Sequence, residues 1–154
     1  MKNLSKLHAG ATRLEGVLDG IPRSVNRSVA ESVRGDLVAI GMPRVNVLLS
    51  GMDNVVKSIL ETILSDLETP IASWYPGERL TLPPVARAGT MILYDVGAMN
   101  REEQLRLLAW SELAAGKIQI VSTASTPLLP LVTTGVFSDT LYYRLNTVFV
   151  DATC

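Results

Sequence analysis

The run Val47-Leu48-Leu49-Ser50-Gly51-Met52-Asp53-Asn54-Val55-Val56-Lys57-Ser58 constrains this chain more than any other stretch. It reads as a buried strand, a short loop and the first turn of a helix. The order G-x-x-x-x-V-K-S is that of a phosphate-binding loop, G-x-x-x-x-G-K-[ST], with the second glycine replaced by Val56. In such loops glycine lets backbone N–H groups curl around phosphate oxygens. A β-branched residue is costly there if the position needs φ > 0. Two readings of the run follow. In one, Lys57 meets the β- and γ-phosphates and Ser58 ligates Mg²⁺. In the other, Lys57 is a solvated helix-start residue and Ser58 a local hydrogen-bonder.

The chain around this run alternates strands and helices. Leu4, Leu7, Ala11, Leu14 and Leu18 recur at spacings of three and four and predict a first helix. Gly20-Ile21-Pro22 breaks it, and Val25, Val29, Val33 and Leu37 predict a second helix that Gly41 stops. A strand over 45–50 comes next. A helix over 55–67 follows, with Val56, Leu60, Ile63, Leu64 and Leu67 facing the core and Pro70 closing it. Residues 71–74 read as a strand, Tyr75-Pro76-Gly77-Glu78 as a turn, and 80–88 as a loop containing Pro83 and Pro84.

Residues 90–94 and 118–122 read as buried strands, with a last strand over 147–150. Between the first two, Asn100 and Glu103 have capping-box spacing and Gly116 ends the helix they open. Short helical pieces are expected over 128–134 and 138–145. Strands that are almost continuously apolar, alternating with helices, argue for a parallel sheet covered on both faces.

Composition narrows the class. The chain has 154 residues, 47% hydrophobic and 19% charged, which suits one globular domain rather than a disordered chain. A net charge of −1 with no basic block argues against a nucleic-acid surface. The one cysteine, Cys154, permits no internal disulfide and suits the cytosol. His8, the one histidine, reads as a surface or boundary residue. No apolar stretch is long enough for a signal peptide core or a membrane span.

The second half brings a resemblance into view. Gly89-Thr90-Met91-Ile92-Leu93-Tyr94-Asp95-Val96-Gly97-Ala98-Met99, then Gln104-Leu105-Arg106-Leu107-Leu108, resembles G-T-L-F-L-D-E-I-G-x-M…Q-x-[KR]-L-L. That is the Walker B strand and following helix of the sigma-54-interaction domain, the AAA+ module of bacterial enhancer-binding transcription activators. Residues 118–125 are similar to its sensor I strand, V-R-I-I-A-A-T-[NH]. Residues 135–146 are similar to G-x-F-R-x-D-L-Y-Y-R-L-N. With the loop at 51–58, these blocks stand in the family's order and span roughly 24–151.

The resemblance implies an α/β fold, the P-loop NTPase (AAA+ core) three-layer αβα sandwich with a mainly parallel five-stranded sheet. One degenerate domain over 1–154 is expected, with a helical pair over 1–41 and the α/β core over 45–151. ATP and Mg²⁺ are the implied cofactors. Gly51, Lys57 and Ser58 would bind nucleotide, Ser58 and Asp95 the metal, and Asp95 and Arg144 would be the catalytic residues.

The departures weaken that chemistry. Tyr94 stands at the metal-coordinating aspartate and Asp95 at the water-activating glutamate; under a one-residue shift Asp95 serves the metal and Val96 is inert. Tyrosine stays a neutral phenol near neutral pH. Ser125 replaces the sensor I Asn or His, and Ser138 replaces the first finger arginine. Arg144 then reads equally as an interface salt-bridge partner.

No G-A-F-T-G-A motif lies between Ser58 and Gly89, so direct sigma-54 contact is not expected. The chain stops soon after the last strand, so the helical lid and a DNA-binding segment are expected to be absent. The reading is a cytoplasmic regulatory domain, monomeric or dimeric, with weak or no ATP binding and no hydrolysis, acting on other protein domains. An active NTPase with a variant loop and a purely structural interaction module are the alternatives.

Overall fold

The computed structural model describes residues 7–8, 11–12, 23–40 and 45–152. Five strands form one sheet: β3 (Val47–Ser50), β4 (Ile71–Trp74), β5 (Gly89–Leu93), β6 (Ile118–Ala124) and β7 (Val148–Asp151). Their order is β4-β5-β6-β3-β7, and every neighbouring pair is parallel. Val47 lies opposite Val121 on one side and Val148 on the other, so β3 is enclosed.

Helices cover both faces. On one, α1 (Arg23–Ala39) and α2 (Asp53–Ile63) bury Ala30, Val33, Leu37, Val55, Val56, Ile59, Leu60 and Ile63 against Val47, Leu49, Ile92 and Val121. On the other, α3 (Arg101–Ala114), α4 (Leu129–Thr133) and α5 (Asp139–Leu145) lie over Leu48, Met91, Leu93 and Ile120. Successive strand residues point to opposite faces, so a strand covered on both sides has no solvent-facing side, even for polar residues such as Thr90 and Ser122. That is why β3, β5 and β6 are buried at every position. The expected three-layer α/β sandwich with a five-stranded parallel sheet is the observed one.

Local signals account for several junctions. Asn100 Oδ1 accepts from the Glu103 amide at 2.8 Å and Glu103 Oε1 accepts from the Asn100 amide at 2.9 Å, the predicted capping box of α3. Ser138 caps α5 by accepting from the Leu141 amide. Buried Gln104 accepts from the Ser138 amide and donates to the Met99 and Val136 carbonyls, tying α3 to the start of α5. At Gly89 a Cβ would meet the Pro70 carbonyl oxygen at 2.7 Å, so only glycine lets β5 pass that closely.

Three expectations are corrected. The first predicted helix is not helical at its described positions: β1 (Leu7–His8) and β2 (Ala11–Thr12) pair antiparallel, His8 with Ala11 and Leu7 with Thr12. Gly10 in the sequence lowers helix propensity there. The rest of that stretch, Gly41 and Cys154 lie outside the described residues. The helix expected over 55–67 starts at Asp53 and ends at Ile63, giving way to a 3₁₀ turn, Leu64–Asp66. That tighter turn rotates Leu64 outward, leaving it 44% exposed instead of in the core. No helix among the described residues is long and apolar enough to cross a membrane.

At the amino ends of the strands, the Asn46 side chain extends the sheet's hydrogen bonding. Its Oδ1 accepts from the Ile120 amide at 2.9 Å and its Nδ2 donates to the Arg144 carbonyl at 3.0 Å. Asn46→Ala leaves both backbone groups without these partners, and chemical denaturation is expected to show a loss of about 1–3 kcal/mol. Asn46→Asp, which keeps the acceptor but loses the donor, is expected to fall between the two.

Candidate functional site

The carboxyl ends of β3, β4, β5 and β6 meet the start of α2 at one edge of the sheet, the usual ligand side of an open parallel α/β sheet. The sequence-predicted residues Gly51, Lys57 and Asp95 all lie there, while Arg144 does not.

The chain turns from β3 into α2 almost at once. The Gly51 amide donates to the Ala124 carbonyl at 3.0 Å, lengthening the β3–β6 ladder by one bond. Met52 is the N-cap, and its carbonyl accepts from the Val55 and Val56 amides at 3.0 and 2.9 Å. The segment expected to be a loop up to Val55 is helical from Asp53. Phosphate loops work by presenting a run of free amides to phosphate oxygens, and here Gly51, Val55 and Val56 have already donated theirs. Val56 is 5% exposed and belongs to the core under α2. Asp53 places a carboxylate in the first turn, where the helix dipole would otherwise favour an anion.

Gly51 has a structural reason to be glycine. Its φ is 156°, and a Cβ would meet the Ala152 Cβ at 3.0 Å. Ala152 is held there because its amide donates to the Ser50 carbonyl at 2.7 Å.

Tyr94, which the resemblance aligns with the Walker B aspartate, stacks on Tyr75 with ring centroids 4.2 Å apart and planes 4° from parallel. Burial foremost, then the neighbouring Tyr75 hydroxyl, pushes the Tyr94 phenol up to about 12. It is therefore neutral at any physiological pH and offers Mg²⁺ no ionised oxygen.

Asp95 occupies the left-handed region, φ 52° and ψ 60°. Its amide donates to Thr123 Oγ1 at 2.8 Å, and its Oδ1 accepts from the Ser125 amide at 3.1 Å and hydroxyl at 2.9 Å. The predicted catalytic carboxylate and the sensor I serine thus hold each other, joining the ends of β5 and β6.

These groups border a cavity of about 540 Å³. One wall is a stripe of α2, from Asp53 through Val56, Lys57, Leu60 and Glu61, and the Leu64 beyond its end. The facing wall holds Tyr75, Pro76, Tyr94, Asp95 and Thr123. Lys57 and Asp95 therefore share one groove, whereas Ser58, half-buried on α2, does not line it. Arg144 lies near the amino ends of the strands, lining a separate cavity with Asn46, Lys117 and Thr147. Its guanidinium is 3.8 Å from the Glu112 carboxylate.

Sequence reasoning missed Tyr75 and Thr123 as members of the site. The tell-tale for Thr123 was its place two residues before Ser125 in the sensor I block. Tyr75 carried no signal beyond its turn.

The residues present do not fit a bound Mg²⁺-nucleotide: the Gly51, Val55 and Val56 amides are bonded internally, Tyr94 supplies no carboxylate, and Asp95 Oδ1 is engaged by Ser125.

No protein-family model matches the chain, and no curated protein matches it by sequence. Solved structures do. NtrX from Brucella abortus in complex with ADP is 16% identical with a TM-score of 0.58, over 91% of this chain and 38% of that one. The P-loop NTPase domain of the sigma-54 activator from E. coli is 18% identical with a TM-score of 0.53, over 71% of this chain and 98% of that one. The Drosophila ORC bound to DNA is 14% identical with a TM-score of 0.58, over 86% of this chain and 94% of that one. This chain therefore spans well under half the length of the NtrX chain. At such identities the likeness speaks to architecture, and the fold is that of the P-loop NTPases in their AAA+ form.

The clamp at Asp95 predicts a stability effect. Asp95→Ala removes two hydrogen bonds and keeps a side chain in the left-handed region, so denaturation is expected to show a loss of about 1–3 kcal/mol. Asp95→Asn keeps an acceptor and tolerates that backbone conformation, so its loss is expected to be clearly smaller. Equal losses in the two variants would contradict the clamp.

Proposed function

We propose that this chain is an AAA+-type regulatory domain related to sigma-54-dependent transcription regulators, working in the cytoplasm through contacts with other protein domains. In this reading it binds ATP and Mg²⁺ weakly or not at all and does not hydrolyse ATP. The observation that carries it is the hydrogen bonding at the start of α2, where the Gly51, Val55 and Val56 amides already serve the Ala124 and Met52 carbonyls. A phosphate seated there would displace these bonds, each worth about 0.5–1.5 kcal/mol net, beside the Asp53 carboxylate.

The remaining positions support the same reading. A metal would find the neutral Tyr94 phenol and an Asp95 carboxylate whose Oδ1 is engaged by Ser125. Arg144 is read as a structural partner of Glu112 rather than a finger residue. Without a G-A-F-T-G-A motif between Ser58 and Gly89, the partner is a protein other than sigma-54. The unit is one domain, its α/β core over 45–151.

The competing reading is an NTPase with a variant site built on Lys57, Ser58, Asp95 and Arg144. It draws on Lys57 and Asp95 lining one groove and on NtrX having been crystallised with ADP and with ATP. Calorimetry separates the two. With millimolar MgATP, no saturable heat is expected from the intact protein, and Lys57→Ala is expected to behave identically. Saturable binding lost in Lys57→Ala would overturn the non-binding form of the proposal, and ATP turnover lost in Asp95→Ala would overturn its non-catalytic claim.

A further inference from the structure

The groove beside α2 has a chemistry that a nucleotide does not explain. Three carboxylates, Asp53, Glu61 and Asp95, line it against one ammonium, Lys57. An anion entering would meet a net negative wall. Lys57 sits one helical turn from both Asp53 and Glu61, so its charge is shared with them before it reaches a ligand.

The aromatic pair adds a second preference. Each ring covers one face of the other, and Tyr94 packs further against the core under α2. The open ring surface is therefore that of Tyr75, 47% exposed. Leu64, turned outward at the end of α2, extends the apolar lining beside it. A cation that is planar, weakly hydrated and carried on an apolar stem matches such a wall: guanidinium stacks on aromatic faces and pairs with carboxylates through its fork of donors. A cavity of about 540 Å³ holds such a side chain together with its neighbours.

We propose that this groove receives an arginine side chain, flanked by apolar residues, from a segment of a partner protein. The cation preference stands on the groove's own lining; the identification of the source as a protein rests on the functional reading above. Lys57, a phosphate ligand in the nucleotide reading, is here a competing cation, so the two readings give its removal opposite consequences.

The test titrates the ¹⁵N-labelled full chain with a capped Leu-Arg-Leu peptide and with its citrulline counterpart, which keeps the shape and loses the charge. Saturable amide shifts are expected at Glu61, Leu64 and Tyr75 with the arginine peptide, and affinity at least about fivefold weaker with citrulline. Lys57→Met is expected to tighten arginine binding about twofold, and Glu61→Gln and Tyr75→Ala to weaken it about threefold or more. Equal binding of the two peptides, no saturable shift with either, or weaker arginine binding in Lys57→Met overturns the proposal. MgATP added to a parallel sample addresses the earlier reading separately, because tight nucleotide binding or ATP turnover overturns that one whatever the peptides do.

Discussion

Everything at the ligand end of this sheet depends on how Gly51 is held. Its amide extends the β3–β6 ladder to Ala124, its missing Cβ admits Ala152 from the end of β7, and Met52 beside it caps α2. Three strands and a helix converge on one residue. Because the ladder runs on into Gly51, the chain has one residue, Met52, in which to leave the sheet before the helix begins. Such a connection leaves the Val55 and Val56 amides bonded to the Met52 carbonyl. The same early start sets α2 across the sheet, bringing Lys57, Glu61 and Leu64 opposite Tyr75 and Tyr94.

The positions that depart from a nucleotide-handling pattern have each acquired work in the fold. Val56 fills the core beneath α2. Tyr94 stacks on Tyr75 and bridges β5 to the turn after β4. Ser125 donates both of its hydrogens to Asp95, and Ser138 caps α5. A carboxylate engaged in a strand-to-strand clamp, a phenol kept neutral by burial and a helix start whose Val55 and Val56 amides are bonded to Met52 make a coherent structural set. They also leave a groove whose charge and aromatic lining suit a cation better than an anion.

Features carried by short-range pattern were legible in the sequence: the near-continuous apolar strands, the Asn100–Glu103 cap and the Tyr75–Glu78 turn. The fold class followed from them and from the order of the four resembling blocks. What was not legible depends on partners distant along the chain. Asp95 and Ser125 are 30 residues apart, and Tyr75 and Tyr94 follow different strands. The start of α2 was misplaced for another reason. The eight-residue motif implies a loop, while Asp53 in the first turn and Val55 and Val56 facing the core suit a helix. Tertiary packing favoured the helix. In the amino-terminal stretch, counting apolar spacings overrode Gly10, and paired strands stand where a helix was expected.

The central claim is that residues 53–57 are helical, with the Val55 and Val56 amides engaged by the Met52 carbonyl, whether or not nucleotide is present. Backbone ¹³Cα chemical shifts over these five residues, recorded with and without millimolar MgATP, test it most directly. The account predicts helical shifts throughout and the same values in both samples. Extended-type shifts at Asn54–Val56, or values that move on adding MgATP, would show that a phosphate loop forms after all and would contradict it.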